Sequence, residues 1–200
     1  MVYADSFPKL YWQPVIIGEE SRVQKEKTVA QRLKKRDPEA WAKVYEEYFP
    51  RIYRYIAVRV SDRVEAEDLT EQVFLSALEA CQSFKWRGAP VSSWLFRIAR
   101  NRVIDHIRTD KSKRTLPLYE SVVSDTVDPE TAAEINSDVR QLIQAVGQLT
   151  QAQRDVIELR FVGGLSNAEV AKILGKSQGA VKVMQHSALA SLRKRLSDLR

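Results

Sequence analysis

The stretch that most constrains the fold of this 200-residue chain is residues 165–196, LSNAEVAKILGKSQGAVKVMQHSALASLRKRL. Apolar residues recur at helical spacing on both sides of Gly175, which predicts two short helices joined by a tight turn. Ser166 and Glu169 have the spacing of a capping box, and Ser177 can cap the second helix. This arrangement is typical of a helix-turn-helix, whose second helix enters the major groove of DNA. A pair of core helices has the same spacing, so the pattern by itself leaves both interpretations open.

Polar side chains on the outer face of the second helix favour DNA binding. Those placed to reach base edges or phosphates are Gln178, Lys182, Gln185 and His186. The tail Arg193-Lys194-Arg195 adds positive charge that suits the phosphate backbone. The net charge of the chain is +6, which also favours an acidic partner such as nucleic acid.

Charge is distributed unevenly along the chain, and its changes of sign mark the domains. Residues 37–83 carry a net charge of −5, residues 84–114 carry +7, and residues 138–200 carry +5. Between the last two, residues 115–137 hold five acidic residues, two prolines and no Lys or Arg. This composition predicts a flexible acidic linker between two small helical domains. The opposite charges of the first and last of these segments are compatible with packing of one domain on the other.

Residues 1–36 precede the first helical domain, and their role is unknown. The first 18, MVYADSFPKLYWQPVIIG, are rich in aromatic and aliphatic residues for a tail, yet they lack the long apolar run of a signal peptide. We favour a flexible extension. The alternative is a segment that docks on the protein or on a partner and inhibits it.

The sequence of the first domain predicts a series of helices and no strand. Asp37 is placed to cap a helix, and Pro50 should kink or divide that helix. A later helix is expected to start at its cap, Ser92 or Ser93, and to end near Arg108.

Apolar stripes at helical spacing identify residues expected to face the core of this domain. They include Trp41, Tyr45, Phe74, Leu78 and the single cysteine, Cys81. A lone cysteine excludes an intramolecular disulfide, and its apolar neighbours predict a buried thiol.

Aromatic and positively charged residues alternate just before the last helix of the first domain. They are Phe84, Lys85, Trp86 and Arg87. Aromatic rings stack on unpaired bases while cations hold the backbone, so this combination is typical of contact with single-stranded or melting DNA. The alternative is that the aromatic residues belong to the core and the cations to a solvated face.

Two motifs in the first domain, followed by an acidic linker and a helix-turn-helix, resemble bacterial RNA polymerase sigma factors. The motifs are AEDLTEQVF at residues 66–74 and WLFRIARNR at residues 94–102, with Asp105 beyond them. The chain is most similar to the extracytoplasmic-function group, which keeps only regions 2 and 4. The resemblance covers about residues 37–196.

The resemblance implies an all-α fold of two small helical domains joined by the flexible acidic linker. The expected segments are the N-terminal extension at 1–36, region 2 at 37–114, the linker at 115–137 and region 4 at 138–200. It also implies binding to core RNA polymerase, through the clamp helices of its largest subunit and the β flap. The residues on which this surface falls are Asp68, Leu69, Gln72 and Phe74. A mixed acidic and apolar helix face suits a basic coiled-coil partner.

The same resemblance implies two promoter-binding sites, one for duplex DNA and one for melted DNA. The residues expected to bind the minus-ten element are Phe84, Lys85, Trp86, Arg87, Ser93, Arg97, Asn101 and Arg108. The residues expected to bind the minus-thirty-five element are Ser177, Gln178, Gly179, Lys182, Gln185 and His186. Capture of a flipped base lowers the free-energy cost of strand separation. DNA melting would therefore use binding energy alone, without ATP. The recognition helix departs from many relatives at Ala180, Val183, Met184 and Ser187, which leaves the promoter sequence open.

The sequence indicates no catalytic, metal or cofactor site. Two histidines and one cysteine make no metal cluster, so we expect no metal, no cofactor and no enzymatic activity. No apolar run approaches the length of a membrane span, and we expect a cytoplasmic protein without membrane insertion. The resemblance further implies that an anti-sigma factor holds the protein inactive.

The alternative function is a conventional helix-turn-helix activator or repressor that acts without replacing sigma. The stretch at residues 165–196 also resembles response-regulator-type activators, but such proteins lack a block like residues 37–114. A nuclease or recombinase comes third, because no carboxylate, serine or tyrosine constellation has supporting spacing.

Overall fold

The computed structural model describes residues 19–60, 62–84, 88–109 and 141–198. The loop residues Lys85, Trp86 and Arg87 and the linker at 115–137 lie outside these ranges, as do residues 1–18. Every regular element in the described ranges is a helix, which confirms the all-α prediction.

The helices follow the chain in the order of their numbers, with only short connections where both ends are described. They are α1 Glu19–Lys34, α2 Pro38–Ala57, α3 Arg63–Ala80, α4 Val91–Thr109, α5 at 141–147, α6 Gln151–Ile157, α7 Asn167–Leu174 and α8 Gln178–Asp198. A π-helical turn, Glu158–Val162, continues α6.

Local capping chemistry bounds α2 and α7 where the sequence predicts. The Asp37 carboxylate accepts the backbone N–H of Glu39 at 3.1 Å and that of Ala40 at 3.2 Å, which caps α2. Ser166 and Glu169 form the predicted capping box of α7. Gly175 ends α7 in the left-handed conformation, with φ of +64°, so the tight turn of the helix-turn-helix is confirmed.

Pro50 lies inside α2 and does not divide it, although the sequence allowed for that outcome. A proline in a helix interior costs about 3 kcal/mol through a lost hydrogen bond and a ring clash. The buried residues Val44 and Tyr48 precede it, and Ile52 and Tyr55 follow it. Each buried side chain contributes about 1.5–3 kcal/mol, so packing on both sides outweighs the local cost.

The prediction that Ser92 or Ser93 caps α4 is wrong. The helix begins at Val91, and both serines lie buried within its first turn. A carboxylate oxygen of Glu26, in α1, accepts the Val91 N–H at 3.0 Å and takes the role of the cap. The cap comes from a residue 65 positions away, a separation at which local sequence patterns carry no signal.

Helix α1 belongs to the first helical block, so a flexible extension is wrong for residues 19–34. Ala30 and Leu33 are 1% and 0% exposed. The Trp41 indole Nε1 donates to the Leu33 carbonyl oxygen at 3.2 Å. The Arg32 guanidinium binds both oxygens of Asp37, at 2.7 and 3.1 Å, and fixes the turn between α1 and α2.

Both helical blocks contribute to one hydrophobic core. Its buried residues include Ile52 and Phe96 from the first block and Leu159, Leu165 and Val170 from the second. A smaller cluster within the second block holds α5, α6 and α8 together; its buried members are Ala145, Leu149, Ile157, Ala188 and Leu192. The two blocks therefore pack on each other through apolar surface.

A single truncation in α1 tests whether this helix is part of the folded domain. Leu33→Ala should lower the free energy of unfolding by about 2–5 kcal/mol, because the lost side chain is fully buried. Val23→Ala, on the same helix but 51% exposed, should change it by less than about 0.5 kcal/mol. Urea unfolding followed by circular dichroism measures both. Equally small losses would show that α1 does not pack on the domain.

Candidate functional site

The residues predicted to bind polymerase divide into exposed and buried pairs on α3. Asp68 and Gln72 are exposed, one turn apart on the outer face of the helix. Leu69 and Phe74 are 6% and 7% exposed and belong to the core. A partner that binds this face would therefore contact the polar pair directly, while the buried pair holds α3 in place.

An apolar groove of about 500 Å³ lies beside this face, between α2 and α3. Its lining residues are Trp41, Ala42, Tyr45, Glu46, Glu71, Phe74, Leu75 and Leu78. Leu75 is 59% exposed, Tyr45 43% and Leu78 38%. The prediction that Tyr45 and Leu78 face the core is wrong, because the apolar stripes of α2 and α3 are wider than the surface the two helices bury. The sequence analysis did not identify Leu75 as a surface residue. The only indication was an apolar residue that lies outside the apolar stripe of α3.

The minus-ten candidates that the structure describes lie along α4 and just after α3, with unequal access to solvent. Phe84 stacks on Trp94 with ring centroids 4.4 Å apart. Arg97, Asn101 and Arg108 are exposed on α4. Ser93 is only 3% exposed. We refer to Phe84, residues 88–90 and the first two turns of α4 as the melting side of the first block.

The minus-thirty-five candidates lie on one open face of α8. The Ser177 hydroxyl accepts the Ala180 N–H at 3.1 Å and caps the helix, as predicted. The exposed members of the set are Ser177, Gln178, Gly179, Lys182 and His186. Gln185 is half-buried. We call this surface the recognition face.

Helix α7 covers the melting side. The Lys172 ammonium donates to the Gly88 carbonyl oxygen at 2.5 Å. The Arg97 guanidinium donates to the Lys172 carbonyl oxygen, and the Ser92 hydroxyl donates to the Glu169 carboxylate. These contacts join the second block to the loop and to the start of α4, where melting DNA was expected to bind.

An ion cluster buried between the blocks joins the turn after α2 and helix α4 to α6 and the π-helical turn that follows it. It consists of Arg59, Arg100, Asp155 and Glu158. The Asp155 carboxylate accepts Arg59 Nη2 at 2.8 Å and Arg100 Nη2 at 2.6 Å, and Arg59 also pairs with Glu158. The side chains of Arg59 and Asp155 are only 4% and 2% exposed. Removing one partner of such a pair typically costs about 3–5 kcal/mol, because the other charge stays buried.

The turn after the π-helical segment fits closely against the first block. The Gly163 carbonyl oxygen accepts Arg51 Nη2 at 2.8 Å and Arg51 Nε at 3.2 Å. A Cβ at Gly163 would lie 2.8 Å from Phe96 Cε1 and 2.9 Å from the Leu159 carbonyl oxygen. This contact therefore requires glycine.

Comparisons with known proteins agree with this geometry. The family model for Sigma-70 region 2 matches residues 44–113, and the model for Sigma-70 region 4 matches residues 145–194. The ECF RNA polymerase sigma factor SigX of Bacillus subtilis is 33% identical over 168 residues, which cover 81% of this chain and 86% of SigX. The chain is an ECF RNA polymerase sigma factor. Proteins of this family confer promoter-specific initiation on RNA polymerase.

Two further relatives extend the comparison. The ECF sigma factor BldN of Streptomyces coelicolor is 34% identical to this sigma factor over 172 residues; the match covers 85% of the chain and 65% of BldN. A solved complex of the sigma factor RpoE with the anti-sigma factor NepR from Bartonella quintana matches at a TM-score of 0.59 and 22% identity. It covers 80% of this chain and 98% of that one, and at this identity it shows a shared fold.

The described part of the sigma factor was also searched for membrane-spanning helices and metal-binding groups. No helix there is long and apolar enough to cross a membrane. Its His, Cys, Asp and Glu residues form no group of three or more that could hold a metal ion. Cys81 is fully buried, as predicted.

Burial raises the pKa of the Glu158 carboxyl to about 7, against the lowering effect of Arg59 and Arg154. The folded sigma factor therefore holds this proton more tightly than the unfolded chain does. Its contribution to stability is fully present below the ordinary value of 4.5 and is lost as pH rises through about 7. The Asp155 carboxylate also raises the pKa of Glu158, and the Tyr55 hydroxyl interacts electrostatically with the same carboxyl.

The pH dependence of unfolding tests the state of Glu158. Between about pH 5 and pH 8, the free energy of unfolding of the sigma factor should fall, relative to that of Glu158→Gln, as the carboxyl loses its proton. Other titrating groups are common to both proteins, so the difference in slope isolates this one. Urea unfolding at a series of pH values measures it. Parallel curves would contradict the raised pKa.

Proposed function

We propose that this sigma factor binds core RNA polymerase through α3 and the apolar groove, binds the minus-ten element along α4 and reads the minus-thirty-five element with α8. The observation that carries the proposal is the presence of both sigma regions, in order, at residues 44–113 and 145–194. The described helices supply exposed residues for polymerase on α3 and for the minus-thirty-five element on α8, and Arg97, Asn101 and Arg108 are exposed on α4.

The groove and the exposed pair Asp68 and Gln72 together form the proposed polymerase-binding surface. Leu75 is an exposed apolar side chain, and its burial by a partner would stabilise the complex. Glu46 and Glu71 line the same groove and would complement a basic partner such as the polymerase clamp helices. An apolar contact with acidic flanks provides both affinity and orientation.

The proposed minus-ten contacts combine stacking with backbone binding. Arg97 and Arg108 would bind phosphates, and Asn101 can donate to and accept from a base edge. The Phe84 and Trp94 rings stack on each other in the free protein, and an unpaired base could extend that stack. Lys85, Trp86 and Arg87 complete the proposed set.

The recognition face is the proposed reader of the minus-thirty-five element. Gln178, Lys182 and His186 are exposed at successive helical turns, as a helix in the major groove requires. Val183 is 70% exposed, so it can contact a thymine methyl group where many relatives have a polar residue.

We also propose that an anti-sigma factor regulates the protein and that it works in the cytoplasm without enzymatic activity or a cofactor. The fold shared with an RpoE that binds an anti-sigma factor supports the first part. The second part follows from an initiation factor that acts through binding alone and whose described helices include none able to span a membrane.

Run-off transcription with purified bacterial core polymerase and fragmented DNA from the source genome tests this function. Specific transcripts should appear, and Asp68→Arg or Asn101→Ala should reduce them by about tenfold or more. Absence of transcripts and of polymerase binding, also after removal of residues 1–18, would instead favour an activator or repressor. That deletion leaves α1 intact, since the helix begins at Glu19.

If the apolar groove binds polymerase, a charge placed in the groove should weaken that binding. Leu75→Arg should weaken binding of core polymerase about tenfold, because it places a charge in an apolar contact that faces a basic partner. Val64→Arg is the matched control, since Val64 is 64% exposed on the same helix and does not line the groove. Both proteins should unfold within about 0.5 kcal/mol of the wild type. Equal affinities for the two variants in a fluorescence anisotropy titration would exclude the groove from the interface.

A further inference from the structure

Gly179, in the first turn of α8, is a glycine that the fold does not need. Other described glycines have a structural reason, either a positive φ, at Gly88, Gly164 and Gly175, or a Cβ position that is already filled, at Gly163. Gly179 has no positive φ, and a Cβ there would meet only the Ser177 hydroxyl oxygen, at 3.9 Å. Glycine destabilises a helix relative to alanine, so its presence here has a cost. Close approach of a ligand to the helix backbone would explain it.

Val183 lies beside this glycine on the recognition face. Residues four apart are neighbours on a helix surface, so Gly179 and Val183 form one row. Gln178, Lys182 and His186 form the row next to it. Val183 is 70% exposed, more than any other large apolar side chain in the part of the chain that the structure describes. A single exposed apolar residue is common on protein surfaces, but this one adjoins a glycine without a role in the fold, and both lie on the face assigned to duplex DNA.

We propose that the sigma factor selects its minus-thirty-five element in part by the 5-methyl group of a thymine, which Val183 contacts because Gly179 lets α8 lie deep in the major groove. The inference rests on the proposed function, which places α8 on duplex DNA. Val183 is then a specificity-determining residue. Gly179 is a positioning residue, because its missing side chain sets how closely the helix approaches the base pairs.

A thymine methyl group is the base feature that an apolar side chain can recognise. In the major groove, each base pair presents a different pattern of donors and acceptors, and the methyl group is the apolar part of that pattern. Contact of Arg or Lys with guanine is the commonest specific readout, and residues 178–192 offer only Lys182 for it. Gln178 has an amide, which suits adenine. The exposed chemistry of this face therefore favours an element that contains A·T pairs.

The DNA probes for the test are obtained with the full-length protein. Its complex with purified bacterial core polymerase selects duplexes from a pool of random sequence, and the upstream element of the enriched duplexes, labelled with fluorescein, is the probe. Each thymine of that element is then replaced in turn by deoxyuridine, which lacks the 5-methyl group and keeps the same hydrogen-bonding groups. Fluorescence anisotropy titrations of the complex give the affinities.

Gly179→Ala separates a role in folding from a role in DNA binding. The variant should unfold at the wild-type temperature or up to about 4 °C higher, because alanine favours the helix and makes no close contact. Its complex with core polymerase should nevertheless bind the probe about tenfold more weakly, because the added methyl group holds α8 away from the bases. Gly147→Ala is the matched control, since a Cβ there also meets no atom within 4 Å and Gly147 lies on α5. Its DNA affinity should equal that of the wild type.

Val183→Ala, combined with deoxyuridine, identifies the contacted methyl group. At one thymine, the replacement should weaken binding of the wild-type complex about fourfold, the value of one buried methyl group. The Val183→Ala complex should bind the thymine probe about fivefold more weakly than the wild type and should show no further loss at that position. Leu189→Ala is the control, since Leu189 is 40% exposed on another side of α8. It should keep both the wild-type affinity and the loss with deoxyuridine.

Several results would overturn the proposal. A lower unfolding temperature for Gly179→Ala would give the glycine a structural role. Wild-type affinity of that variant would remove its role in DNA binding. Equal losses with deoxyuridine for the wild type and Val183→Ala, or no loss at any thymine, would exclude the methyl contact and leave sigma function intact. If no upstream element were enriched, the proposed reading by α8 and this inference would both fail, while polymerase binding and run-off transcription would still test the sigma function separately.

Discussion

The structure depends on Asp155, a carboxylate from region 4 that binds two guanidinium groups of region 2 in a buried site. A buried charge of this kind is tolerated only when its partners are in place. The ion cluster therefore contributes less to overall stability than to selecting one arrangement of the regions, while the shared apolar core supplies the attraction. The requirement for glycine at 163 shows how closely the two surfaces fit around the cluster.

This arrangement explains why the proposed interfaces differ in exposure. The cluster joins α6 and the π-helical turn to Arg59, just after α2, and to Arg100 of α4. Helix α7 lies over the start of α4 through its own hydrogen bonds. The recognition face on α8 and the proposed polymerase-binding surface on α3 are not part of these contacts and are exposed. The surfaces proposed for polymerase and duplex DNA are therefore exposed, while the surface proposed for melted DNA is in contact with α7.

The sequence predicts features that depend on near neighbours and misses those that depend on distant ones. The caps at Asp37 and Ser166 and the turn at Gly175 follow from local patterns, and the structure contains them. The cap that Glu26 supplies to α4 joins residues far apart in the chain and has no local signature. Net charge also misleads about the ion cluster: its arginine Arg59 comes from an acidic segment and its carboxylates come from a basic one.

Equilibrium unfolding tests directly whether the two regions share one core. All four tryptophans lie at or before residue 94, so their fluorescence reports on region 2 and the N-terminal segment, while far-ultraviolet circular dichroism reports on helices in both regions. If the regions unfold as one unit, the two signals should give the same urea midpoint and slope. A circular dichroism transition that begins well below the fluorescence transition, or continues beyond it, would show that the regions unfold independently and would contradict the account.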